Sequence, residues 1–103
     1  MNIGECICVL QEKYGDDFNW MSTSSNTFVN ELRFELGDKF NFETIAVVAK
    51  CGSNDDVLFE IDGIYRIYHL TYSEKAETIR FLEFKTLNEA INYIEKDYVE
   101  NYM

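Results

Sequence analysis

The strongest local constraint in the chain is Asp62-Gly63, two residues suited to positive φ, set between two runs of strand formers. Val57-Leu58-Phe59-Glu60-Ile61 precedes the pair, and Ile64 to Tyr72 follows it, rich in β-branched residues and tyrosine. A two-residue turn of this kind closes a tight hairpin, because only positive φ at its centre matches the twist of the flanking strands. A chain built around such a hairpin must contain an antiparallel sheet.

The neighbouring segments extend this sheet. Thr44-Ile45-Ala46-Val47-Val48-Ala49 is short, apolar and β-branched, which predicts another strand, with a turn over Gly52 to Asp56. Ser73 to Thr78 is polar and reads as a loop, and Phe81 to Phe84 as a short edge strand. Helical patterning occupies the two ends. Ile3, Cys6, Ile7, Leu10 and Tyr14 recur at helical spacing, and Gly15 supplies a stop. Asp16-Asp17 then opens a connection, with Phe18 and Trp20 expected to pack back onto the core. The polar run Ser22 to Thr27 is rich in capping residues, and Phe28, Val29, Leu32 and Leu36 form an apolar face before Gly37, an expected C-cap. Thr86-x-x-Glu89 has the form of a capping box ahead of Leu87, Ala90, Ile91, Ile94 and Tyr98. The expectation is one α+β domain over residues 1–103. Its antiparallel sheet has three to four strands, with two N-terminal helices and one C-terminal helix against one face.

Composition bounds the function. The 103 residues carry 19 acidic and nine basic side chains, a net charge of −10, with an aromatic share of 16%. Nucleic-acid binders need basic patches to displace counterions from phosphates, so direct nucleic-acid binding and anionic membrane surfaces are disfavoured. A basic protein partner is the natural complement. Met1 to Leu10 contains Glu5 and no basic residue ahead of its apolar stretch, unlike a secretory signal or a mitochondrial presequence. No apolar run approaches the roughly 20 residues of a membrane span, so a cytoplasmic location is expected.

Catalytic, cofactor and metal signatures are not expected either. Cys6, Cys8 and Cys51 are an odd number, lack the C-x₂₋₄-C spacing of zinc sites, and read as core residues. Ser53-Asn54-Asp55-Asp56 lacks the ligand spacing and glycine of a calcium loop. His69, the single histidine, sits mid-strand in register with Tyr65, Ile67 and Thr71, and no motif places a nucleophile beside it. That leaves binding. Asp55, Asp56, Glu60 and Asp62 form the densest acidic stretch. Tyr98 and Tyr102, near Glu95, Asp97 and Glu100, offer aromatic contact area on the last helix. Tyr65, Tyr68, Tyr72 and Tyr93 are further candidates for anchors.

The segment Tyr65-Arg66-Ile67-Tyr68-His69-Leu70-Thr71-Tyr72-Ser73, followed by Phe84 and Leu87-x-x-Ala90-Ile91-x-x-Ile94, resembles small acidic bacterial proteins of the toxin-immunity type over residues 51–100. The resemblance implies a protein that neutralises a basic toxin domain, such as a nuclease, by binding it. It carries over no catalytic residue. A nucleic-acid mimic, a small enzyme centred on His69 with Cys51 or Tyr68 assisting, and a plain subunit of a larger assembly are the competing expectations.

Overall fold

A computed structural model describes residues 3–15, 18–23, 25–52, 55–70 and 81–102; for residues 3–6 and 102 only the main chain is described. Asp16-Asp17, Ser24, Ser53-Asn54 and the segment Thr71 to Thr78, with the last two residues of the expected third strand, lie outside the described residues.

The element order is α1 (Ile3–Tyr14), β1 (Trp20–Ser22), α2 (Asn26–Leu36), β2 (Ile45–Cys51), β3 (Asp56–Ile61), β4 (Ile64–His69), β5 (Phe81–Phe84) and α3 (Leu87–Tyr102). The five strands form one antiparallel sheet in the order β1-β2-β3-β4-β5, so each strand pairs with its neighbour in sequence. The α+β class and the three helices agree with the sequence. The sheet has one strand more than expected. Trp20-Met21-Ser22 pairs with Cys51-Lys50-Ala49, an edge strand too short for any period-2 pattern to show.

Local chemistry accounts for the element ends. The Ser25 hydroxyl accepts from the Thr27 N–H at the start of α2, and the Gly37 N–H donates to Arg33 O at its end, with φ 54° at Gly37. At the start of α3 the Glu89 N–H donates to Thr86 Oγ1. The return bond is displaced by one residue, since Glu89 Oε2 accepts from the Lys85 N–H. Asp62 and Gly63 both have positive φ, at 50° and 85°, and the hairpin closes on the Ile61–Ile64 pair.

The helices do not share a face, contrary to the expectation. Ile7 and Leu10 of α1 and Ala90, Ile94 and Tyr98 of α3 pack with Trp20, Ala49, Cys51, Leu58 and Ile67. On the other side Val29 and Leu32 of α2 pack with Val47, Val57, Phe59, Ile61, Tyr68 and Leu70. Val57, Leu58 and Phe59 are all fully buried, although alternate side chains of a strand point to opposite faces. A continuous apolar run in a strand means that both faces are covered, and here α2 covers the second.

A bulge in β2 matches this two-sided arrangement. The register shifts between Val47, opposite Phe59, and Ala49, opposite Leu58. Two residues apart on a regular strand, Val47 and Ala49 would share a face. With the extra residue Val48 between them, Val47 faces α2 and Ala49 faces α1 and α3. Lys50 then lies towards α2, its Nζ 6.0 Å from the Phe28 ring.

Candidate interaction surface

The acidic stretch that looks continuous in sequence is divided by the sheet. Asp55 and Asp56 lie at the start of β3, whereas Glu60 and Asp62 lie at its far end and turn. Six residues of antiparallel strand at about 3.4 Å each separate Asp56 from Asp62 by about 20 Å. These four carboxylates do not form one patch.

Asp62 has a structural task. Its Oδ1 accepts from the Thr44 N–H at 2.7 Å and the Thr44 hydroxyl at 3.2 Å, and its own N–H donates to Thr44 O at 3.1 Å. Glu60 is exposed, stands opposite Tyr65, and with burial as the larger cause raises the Tyr65 phenol above its ordinary pKa.

Tyr98 is corrected by the structure. It is 3% exposed, with its ring 4.9 Å from Tyr14 and 5.0 Å from Phe18, so it belongs to the core between α1 and α3 and offers no contact area. The Tyr102 side chain lies outside the described residues. Glu95 is likewise engaged, accepting from Lys13 Nζ at 2.8 Å and Tyr14 Oη at 2.7 Å. These bonds, Lys13's first, hold its carboxyl below the ordinary range. Cys8 is exposed rather than core, while Cys51 is buried beside Asn19, whose Nδ2 donates to its Sγ at 3.4 Å.

The start of β3 pairs with the end of β4, the strand that packs against α3. Asp56 stands opposite His69, and the two join through Oδ1 and Nδ1 at 2.8 Å. Tyr93 of α3 sets its ring 5.4 Å from Phe84 at a tilt of 41° and is half-buried. Burial first, then the negative fields of Asp97 and Asp56, raise its phenol above the ordinary value. Asp97 accepts from Asn101 Nδ2 at 2.9 Å, and Asp55 is exposed beside Asp56. Two acidic groups some forty residues apart in sequence therefore converge on one tyrosine, with an exposed histidine at their margin.

The Asp56–His69 pair was open to prediction from the hairpin. Ile61 opposite Ile64 fixes every later pairing outward from the turn, and five steps from it Asp56 meets His69. Asp97 is one helical turn from Tyr93 on α3 and is equally legible, whereas the approach of Asp56 to Tyr93 had no such signal, since it depends on how α3 lies against the sheet.

Among the described residues no three His, Cys, Asp or Glu side chains converge as metal ligands, and no helix is long and apolar enough to cross a membrane. Fold and surface together define an α+β protein whose sheet is covered on both faces and whose β3–α3 end is acidic and aromatic. Compared with protein-family models, curated proteins and solved structures, the chain matches none.

Proposed function

We propose that the protein is a binding partner of the toxin-immunity type, which occupies a basic protein domain through the acidic surface at the β3–α3 end. The observation that carries this reading is the convergence of Asp56 and Asp97 on Tyr93, with Asp55 exposed beside them. A half-buried tyrosine in the field of two carboxylates suits an arginine or lysine of a partner, which would meet the ring and the acids together. The net charge of −10 supports it by steering a basic partner during encounter.

Co-purification from the native host at moderate salt tests the proposal. The expected result is a basic protein that the wild-type chain retains and inhibits, and that Asp55→Lys with Asp97→Lys fails to retain. A retained partner indifferent to both substitutions would move the interface elsewhere, and retention of no basic partner would remove the reading.

A second reading has one observation in its favour. An exposed histidine held at Nδ1 by a carboxylate is the base-and-orienter half of an acid–base site. His69→Ala leaving cellular function unchanged would exclude it.

A further inference from the structure

Antiparallel alternation decides which main-chain groups of β5 are open to another strand. A two-residue hairpin closes on a hydrogen-bonded pair, here Ile61 and Ile64. Along β4, Ile64, Arg66 and Tyr68 therefore bond to β3, and Tyr65 and Ile67 bond to β5. Their partners on β5 are Phe84 and Leu82. Phe81 and Glu83 accordingly direct their N–H and C=O groups away from β4. Among the described residues β5 has a neighbouring strand on one side only.

Arg66 holds the side chains of both these residues. Its guanidinium lies 4.6 Å from the Phe81 ring centre and bonds Glu83 Oε1 through Nε at 2.9 Å and Nη2 at 2.8 Å. Phe81 remains 46% exposed on the α2 side of the sheet, and Leu82 44% exposed on the other. Proline and bulges, two common protections of an open edge, are missing from β5.

We infer that the β5 edge pairs with the same edge of a second copy of this chain, antiparallel about a two-fold axis at Leu82, in a weak and reversible dimer. The two-fold places Phe81 opposite Glu83 of the second copy and Leu82 opposite its counterpart. Outward main-chain groups then meet outward main-chain groups. The two leucines form the closer, non-hydrogen-bonded kind of pair and cover one another. Centring the axis on Glu83 would instead set two carboxylates face to face. In the Leu82 register each Glu83 lies between its own Arg66 and the Arg66 stacked on Phe81 of the second copy. Charge thus alternates across the axis.

The net charge opposes association at long range, but exposed charges are screened beyond about 10 Å at 0.1 M salt. The charged residues on the strand and beside it in sequence or across the ladder, Arg66, Arg80, Glu83, Lys85 and Glu89, sum to +1. A basic strand would find no local excess of negative charge here, which favours a second copy over the basic partner proposed above. Two four-residue strands cover well under the roughly 1,000 Å² of a stable interface, so the dimer forms only at high concentration.

Sedimentation equilibrium of the full chain up to about 1 mM tests this, together with amide hydrogen exchange at low and high concentration. The mass should rise reversibly above 12.1 kDa, and exchange at the Phe81 and Glu83 amides should slow as it does. Leu82→Lys, which sets two ammonium groups across the axis, should raise the dissociation constant at least about tenfold. A monomer at every concentration overturns the inference. So does a dimer that leaves the Phe81 and Glu83 amides unprotected or tolerates Leu82→Lys. The exchange measurement on the unmodified chain decides the matter even where the variant folds poorly.

Discussion

The carboxylate of Asp62 receives both the main-chain N–H and the hydroxyl of Thr44, tying the β3–β4 turn to the residue just before β2. One side chain thus fixes three strands at their common end. Its backbone also takes φ 50°, a conformation open to Asp at modest cost but poor for most residues. Asp62→Ala should lower stability by about 0.5–1.5 kcal/mol through the lost hydrogen bonds to Thr44, and Gly63→Val by about 1–3 kcal/mol through strain at φ 85°. Denaturant unfolding measures both, and an unchanged midpoint for Gly63→Val would argue against the positive-φ turn.

Glu95 joins α3 to α1 through Lys13 and Tyr14, and its depressed pKa sets the sign of a pH effect. Its contribution to stability is present above the unfolded-state value, near 4.3, and is lost as pH falls through the lower folded-state value. Glu95→Gln should melt earlier than the wild type at pH 7, by about 0.5–1 kcal/mol for a largely solvated pair. The gap should close only below about pH 4. A gap that persists at low pH would mean that packing, not charge, separates the two proteins.

Glu31 carries the opposite sign. Burial, then its hydrogen bond with Glu35 and the repulsion between them, raises its carboxyl above the ordinary range on α2. A group so raised favours folding at acidic pH, and that advantage is lost as pH rises through its folded-state value. Glu31→Gln should therefore stabilise the protein at pH 7 by about 0.2–0.5 kcal/mol, the cost of a like-charged i,i+4 pair. Thermal melts at pH 7 and below pH 4 check it, since the gain should vanish at the acidic end. Destabilisation at pH 7 would contradict the repulsion argument.

Asp55→Lys with Asp97→Lys should leave circular dichroism unchanged, because surface substitutions usually move stability by about 0.5 kcal/mol or less. Binding of the proposed basic partner should weaken at least about tenfold. Association by the wild type should also slow steeply with salt while dissociation changes little. An association rate insensitive to salt would contradict electrostatic steering.

The local elements are written in short-range patterning. The Asp62-Gly63 turn, the β-branched runs on either side, the Gly37 cap and the Thr86 start of α3 rest on interactions within a few residues, and short-range patterns record these. The hairpin register, counted outward from the turn, even contains the pairing of Asp56 with His69. The remaining features depend on contacts between distant parts of the chain. A three-residue strand such as β1 is too short for a period. The face covered by α2 depends on long-range packing, and the bulge at Val48 reverses which residues of β2 point to which side. Tyr98 reads the same in sequence as an interfacial tyrosine, and its burial between α1 and α3 follows from how two helices at opposite ends of the chain meet. The acidic stretch divides for the same reason. An extended strand drives neighbouring carboxylates about 20 Å apart, while the packing of α3 on the sheet brings Asp56 towards a phenol that already has Asp97 one helical turn away.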